Sequence, residues 1–283
     1  MKESIKQQKL LKSIVYWTLP PGIKNTFREL SIVRGYMAMK PILQKNLDLK
    51  DKHHGKRCFI LCTGPSIKSQ DLSLLKNEIC FACSRFYLHE QIEIIKPIYY
   101  VQPSWHEPIS IEAYKSTIHK AYERMPWSTA ILGENAFSIL NDSSLFNGNI
   151  YYYYGGYYGG GVHKDYLKID LTAKTLKILS VSTQAIATAI YMGFKKIYLL
   201  GCDHDYIINW GKSQHFYDES ISQYSEDWSG GLLQEFENHV DLWRTYLALK
   251  NIGTLTDAKI INLTPGSLLD VFERKELAHI LQG

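Results

Sequence analysis

The apolar positions of this 283-residue chain fall into short unbroken runs separated by longer stretches with helical spacing. Cys58–Cys62, Ile79–Cys83, Ile98–Val101, the "TAILG" of 129–133, the "KKIYLLGCD" of 195–203 and the "KIINLTP" of 259–265 are each too short and too uniformly apolar to be helices, so they read as buried strands. Between them, Ile111–Arg124, "STQAIATAIYMGF" (182–194) and "LLQEFENHVDLWRTYLALKNIG" (232–253) place apolar residues at helical intervals. Ser182 or Thr183 would cap the second of these helices and Gly193 would end it, while Gly253 would end the third. A helix or turn is expected at Ser69–Leu75 and a short helix after Gly266. Buried strands alternating with helices predict an α/β fold, a doubly wound, mostly parallel Rossmann-like sheet.

Ahead of this body, residues 1–54 read as a basic, amphipathic helical segment, interrupted by Pro20, Pro21 and Gly22. The stretch 47–57 reads as a charged linker. The division is therefore 1–54 for the helical segment and 55–283 for a nucleotide-binding catalytic domain, with a Tyr/Gly-rich insert near 145–170 around "YYYYGGYYGGG". That tract suits either an aromatic lid over an acceptor sugar or an ordered aromatic surface.

Charge sharpens the division. Residues 1–57 hold 13 Lys and Arg against 4 Asp and Glu, a balance of +9, which leaves −5 for the rest of a chain with net charge +4. The body is not basic, which argues against nucleic acid as its ligand. The basic N-terminal stretch, rich in apolar and aromatic residues, suits an anionic membrane surface contacted through residues 1–45, or packing on the body or on a second subunit in a homo-oligomer. The start has no apolar stretch long enough for a signal peptide, so a cytoplasmic location, peripheral at the inner membrane, is expected. The five cysteines lie in apolar strand-like segments; the Cys80/Cys83 pair has no second pair at zinc-finger spacing, and all read as buried free thiols.

Chemistry is expected at the carboxyl ends of the strands, where open parallel sheets bind ligands. Thr63, Gly64, Pro65 and Ser66 follow the first body strand and offer a close-approach glycine with hydroxyls and amides for a phosphate. The stretch is neither GxGxxG nor a Walker loop. Ser84 and Arg85 follow the second strand, Gln102 and Ser104 the third, and Asp203, His204, Asp205 and Tyr206 a later one. Ser182 and Thr183 open a helix whose positive end suits an anion. Asp203 and Asp205 beside a phosphate could instead hold Mg²⁺.

"FILCTGPSIKSQDLSLLKNEICFACSRFY", "YYVQPS" and "AIYMGFKKIYLLGCDHDY" resemble the domain shared by motility accessory factors and archaeal 6-hydroxymethylpterin diphosphokinases. The motif order, with "IINLTPGSLLDVF", also resembles bacterial lipooligosaccharide sialyltransferases that use a CMP-linked donor; the resemblance spans roughly residues 57–275. It implies that Thr63 and Gly64 border the donor phosphates, that Ser84 and Gln102 stand where those enzymes carry donor-contacting asparagines, and that Ser182 and Thr183 start the nucleotide-side helix. Tyr206 would match a tyrosine that steadies the leaving phosphate. The base would be a histidine beyond the Gly-x-Asp strand, His215 or His239, with His215 preferred for its loop setting beside Phe216 and Tyr217; His163 would serve only if the glycine tract closes over the crevice. The three asparagines of the sialyltransferases are replaced here by Thr, Ser and Gln.

The implied function is an inverting, sialyltransferase-like glycosyltransferase of surface-glycan or lipooligosaccharide assembly. Its partners would be a nucleotide-sugar donor, CMP-linked by preference, and a glycan or glycolipid acceptor, with no required cofactor. A Mg²⁺-dependent diphosphokinase and a non-catalytic nucleotide-binding assembly protein are the alternatives.

Overall fold

The computed structural model describes residues 33–107, 109–140, 144–156, 168–177, 179–209, 214–218 and 231–281. The chain divides into two compact units, Met1–Ile42 and Leu43–Gly283. Within the first, residues 33–42 are helical, and the predicted helices further towards the N-terminus, with the Pro20–Gly22 break, lie outside the described residues. No described helix is long and apolar enough to cross a membrane.

The second unit is built on one eight-stranded sheet: β1 Arg57–Leu61, β2 Cys80–Cys83, β3 Tyr99–Gln102, β4 Thr129–Gly133, β5 Ile150–Tyr153, β6 Lys196–Leu200, β7 Lys259–Asn262 and β8 Glu273–Arg274. All pairs are parallel, in the order β5-β4-β3-β2-β1-β6-β7-β8. The chain winds outward from β1 to β5 and then returns to lay β6 against the other side of β1, so the winding direction reverses between β1 and β6. A crevice is expected where it reverses.

Both faces of the sheet are covered, which is why the strands read as continuous apolar runs. Cys58 and Ile60 of β1 join the core beneath helices α4 (Val181–Tyr191) and α5 (Gly231–Leu255), while the intervening Phe59 and Leu61 join the core on the opposite face. That opposite core takes in α1 (Ile92–Ile95), α2 (Ile111–Arg124), α3 (Ala136–Leu140) and α6 (Leu277–Leu281). Ten of the eleven residues of α4 are buried, consistent with a helix apolar nearly all round.

The structure departs from the sequence expectations at five places. Residues 47–57 are not a linker: Leu43, Asn46 and Leu49 are buried, Asn46 Nδ2 donates to the Tyr152 and Leu171 carbonyls, and the His53 ring stacks on Phe194 at 4.8 Å. The first half of the tyrosine tract is a sheet strand, β5, in register with β4; its 157–161 portion lies outside the described residues. Helix α4 is capped by Ser180, whose Oγ accepts from the Ser182 N–H, while Thr183 Oγ1 donates back to the Ser180 carbonyl at 2.7 Å.

Helix α5 runs through Gly253 to Leu255. Gly253 is there for closeness, since a Cβ would lie 2.6 Å from the Ala258 carbonyl oxygen as the chain turns into β7. The short helix expected after Gly266 is set back from the glycine because Ser267 and Asn262 take the local backbone groups: Ser267 Oγ donates to the Cys202 carbonyl and accepts from the Leu269 N–H, and Asn262 Nδ2 donates to the Leu269 carbonyl. The short helix comes later, as α6.

Replacing Gly253 with alanine should therefore lower the urea midpoint of unfolding, although an ordinary helix-interior Gly→Ala gains about 1 kcal/mol from propensity. A raised midpoint would show that the close approach is not limiting.

Candidate functional site

Where the winding reverses, the loop after β1 and the loop after β6 are joined by one carboxylate. Asp203, two residues past the Gly201 that follows β6, accepts from the Ser66 backbone N–H through Oδ1 at 3.0 Å and from the Ser66 hydroxyl through Oδ2 at 2.8 Å. Gly64 makes this approach feasible: a Cβ there would fall 1.9 Å from Asp203 Oδ2 and 2.6 Å from the Gly201 carbonyl oxygen. The Gly64 N–H donates to that same carbonyl at 2.9 Å. Pro65 starts the short 3-10 turn that aims the Ser66 amide at the carboxylate. Burial pushes the Asp203 carboxyl above the usual range, the two Ser66 bonds pull it back, and nearby Asp205 pushes it up again. Asp205 itself accepts from Asn209 Nδ2.

The loop after β6 is held from below by the segment after β7. The Cys202 N–H donates to Thr264 Oγ1 at 3.0 Å, Ser267 Oγ donates to the Cys202 carbonyl at 2.6 Å, and the Leu268 N–H donates to the Asp203 carbonyl at 2.9 Å. Cys62 and Cys202 lie directly beneath Thr63 and Asp203, their sulfurs 3.2 Å apart. Cys80 and Cys83, despite their CxxC spacing, face opposite sides of β2 and belong to different cores, so they do not form a pair.

Towards β2, β3 and β4 the other predicted residues gather. Ser84 takes a positive φ of 52°, turning the chain sharply at the end of β2. Ser84, Arg85 and Gln102 line one small cavity of about 40 Å³ together with Tyr217. Gln102 is buried and its Oε1 accepts from the Tyr100 hydroxyl at 3.1 Å. Ser104 Oγ donates to Glu134 at 2.7 Å. Burial pushes the Glu134 carboxyl up, against the pull of the Ser104 hydroxyl and backbone N–H groups.

Two histidines flank the crevice in different settings. His215 Nδ1 lies 3.0 Å from Thr63 Oγ1, its ring stacks on Tyr217 at 4.9 Å, and the Phe216 N–H donates to the Thr63 carbonyl. This short segment lies directly on Thr63. His239 lies on α5 with its ring 5.8 Å from that of Tyr206. Its Nδ1 donates to the Glu235 carbonyl at 2.9 Å, with the Glu235 carboxylate at 3.3 Å, so Nδ1 carries a hydrogen. Its Nε2 is buried and has no hydrogen-bond partner among the described residues.

Between Tyr206 and α5 lies a buried polar group of three. Tyr246 Oη is 2.6 Å from His204 Nε2 and 2.5 Å from Ser182 Oγ, which in turn reaches Ser180 Oγ at 2.8 Å. Ser182 and Thr183 thus have their hydroxyls engaged with Tyr246 and with the Ser180 backbone. Burial drives the His204 imidazole down to about 3, helped by nearby His239.

The structure therefore brings Thr63, Gly64, Pro65, Ser66, Asp203 and His215 together at the β1/β6 reversal, Ser84, Arg85, Gln102 and Tyr217 beside it, and Tyr206 with His239. It sets Ser104 further out, against Glu134. Sequence reasoning missed Glu134, Glu235, Tyr246 and Ser267. Glu134 was the most accessible of these, since it follows a strand just as the other site residues do.

The chain matches no family model and no curated protein. Among solved structures it is similar to a MAf glycosyltransferase from Magnetospirillum magneticum AMB-1, at 14% identity and a TM-score of 0.44, covering 80% of this chain and 34% of that one. It is also similar to the sialyltransferase CstII from Campylobacter jejuni, solved in complex with a substrate analogue, cytidine-5'-monophosphate. There the identity is 18% and the TM-score 0.44, over 78% of this chain and 85% of that one. The chain thus spans about a third of the length of the Magnetospirillum protein. The functional reading rests on the residues of the crevice.

His204 gives the site a pH signature. Its folded pKa lies below the unfolded value of about 6.5, so its contribution to stability is complete above that pH and is lost as pH falls towards 3. His53, pushed down to about 4 by burial, acts in the same sense. His204→Asn, which tolerates the positive φ of 52° at this position, should flatten the fall in urea midpoint between pH 7 and 4.5. An unchanged slope would contradict the assignment.

Proposed function

We propose that this chain is a nucleotide-sugar-dependent glycosyltransferase acting on a glycan or glycolipid hydroxyl with inversion at the anomeric carbon. The observation that carries the reading is the convergence of Thr63, Ser66, Asp203 and His215 on the β1/β6 reversal, at the same strand ends where the chain resembles the sialyltransferases. The donor phosphate would rest against the Thr63 hydroxyl and His215, with Gly64 supplying closeness rather than a donor, since its N–H is given to the Gly201 carbonyl and Pro65 has none. Asp203 would act on it indirectly, by fixing that loop through Ser66. Ser84 and Gln102 would bound the donor sugar.

For the base, the local chemistry favours His239. Its Nδ1–H is fixed by Glu235 and Tyr206 lies against its ring; its Nε2 is buried and unbonded among the described residues, so the contact between Tyr206 and α5 would have to open for an acceptor hydroxyl to reach it. Inversion in one step needs an acceptor hydroxyl to lose its proton as it attacks the anomeric carbon, while the nucleotide phosphate departs on the opposite side. Tyr206 would steady that phosphate or orient the base, and His215 would hold the Thr63 hydroxyl towards it. His215 as the base is the second reading, favoured by its half-exposed place on the crevice wall.

The diphosphokinase alternative loses ground on one observation. Asp203 and Asp205 would have to hold Mg²⁺ while accepting from Ser66 and Asn209, and among the described residues no third carboxylate, histidine or cysteine joins them as a ligand group.

A thermal-shift panel of CMP, UDP, GDP, ATP and GTP, each with Mg²⁺ and with EDTA, tests the class. A nucleoside mono- or diphosphate at one hundred times its dissociation constant should stabilise the fold by about 2.7 kcal/mol with EDTA present. A response confined to a triphosphate with Mg²⁺ would overturn the transferase reading. With the donor so identified, His239→Gln should keep nucleotide binding and lower sugar turnover by about 10² to 10⁴. If the loss falls on His215→Gln instead, the second reading stands.

A further inference from the structure

Next to the small cavity bounded by Ser84 and Gln102 lies a larger one, of about 250 Å³, between the turn after β2 and the first half of α2. The two share Arg85, Ala113 and Thr117 as walls. Arg85 therefore stands at the boundary, its guanidinium carbon 5.9 Å from the Tyr217 ring centre. The outer cavity adds a second cation, Lys120, with hydroxyls from Tyr87, Ser116 and Thr117, and a single carboxylate, Glu112.

Three features define what fits. The inner cavity, of about 40 Å³, is the narrower of the two, so the outer one offers the roomier place for a second sugar ring. Glu112, Ser116 and Lys120 are exposed, so an occupant of the outer cavity arrives from solvent over α2. Arg85 and Lys120 outnumber Glu112, and a guanidinium with an ammonium beside hydroxyls suits a phosphate or carboxylate carried on a hydroxylated ring. A 250 Å³ space is smaller than the pockets that enclose drug-sized ligands, about 300–1,000 Å³, and suits one substituted sugar unit.

We infer that this outer cavity is a binding subsite for an anionic sugar of the acceptor, a sugar phosphate or a uronic acid, with Arg85 and Lys120 as its charge contacts. The inference rests on the transferase reading for the word acceptor, but the anion site itself does not. Glu112 at the rim opposes the anion by like-charge repulsion and holds the affinity below what the two cations alone would give. The subsite lies on the β2/β3 side of the sheet, apart from the β1/β6 reversal, so acceptor and nucleotide can be bound together.

The test is titration calorimetry of the full chain with glucose 6-phosphate, N-acetylglucosamine 6-phosphate and glucuronate, each beside its uncharged parent sugar. At least one charged probe should bind where its parent does not, and 0.5 M salt should weaken it. Lys120→Ala should weaken that binding about tenfold or more, Lys120→Arg should restore it, and Glu112→Gln should tighten it. Lys120 is exposed, so these variants should fold, and an unchanged melting temperature checks that. The bound probe should leave the nucleotide-induced thermal shift in place and add to it.

Equal binding of charged and uncharged sugars, binding of none, or indifference to Lys120→Ala overturns the subsite while leaving a nucleotide response intact. Displacement of the nucleotide by the probe overturns the acceptor assignment. Charged-probe binding with no nucleotide response in the wild type supports the anion site and tells against the transferase reading instead.

Discussion

The clasp of Asp203 on Ser66 is the contact on which the geometry of the crevice depends. It joins the loop after β1 to the loop after β6, the two segments that part where the winding of the sheet reverses. Hydrogen bonds to a charged group are worth about 1.5–3 kcal/mol each, so the pair outweighs most single contacts in a loop. The clasp also dictates sequence on both sides of it. Gly64 has no side chain because the carboxylate occupies that space, and Gly201 adopts a positive φ of 66° with its own missing Cβ 2.6 Å from the Cys62 carbonyl oxygen. Thr264 and Ser267 then fix the Asp203 loop from the far side.

From this anchor the remaining parts take their positions. The Phe216 and His215 segment is tied to Thr63, so its place follows from where the clasp leaves the β1 loop. Beyond Asp203 the chain passes through His204, whose positive φ turns it inward onto Tyr246, and then presents Tyr206 to His239 on α5. Ser182 links the same Tyr246 to the start of α4. The first turn of one helix and the middle of another are thereby coupled through a buried hydroxyl. A desolvated, fully engaged polar network of this kind holds side chains in one arrangement at some cost in stability when a partner is removed.

Much of the fold was legible in the chain itself. The apolar runs at Cys58–Cys62 and 129–133 and the helix at Ile111–Arg124 needed only local pattern, and they lie where the pattern put them. β5 was hidden because a run of tyrosines carries the signature of low complexity more strongly than that of a strand. Residues 47–57 read as a linker because their charges dominate, yet Leu43, Asn46 and Leu49, every third residue along a 3-10 turn, are buried, Asn46 against the edge strand β5. The strand-end rule put Thr63, Ser84, Gln102 and Asp203 at the carboxyl ends of strands, and they lie there. It could not pair Ser66 with Asp203, or Ser182 with Tyr246, because those partners lie far apart in the chain and meet only through the topology.

Hydrogen exchange followed by mass spectrometry, with and without saturating CMP, UDP or GDP, tests the central claim that the β1/β6 reversal is where a nucleotide phosphate binds. Slowed exchange centred on peptides covering residues 62–70 and 200–209, with β4 and β5 unchanged, is the result this account predicts. Binding that leaves both peptides unprotected and slows exchange elsewhere would contradict it.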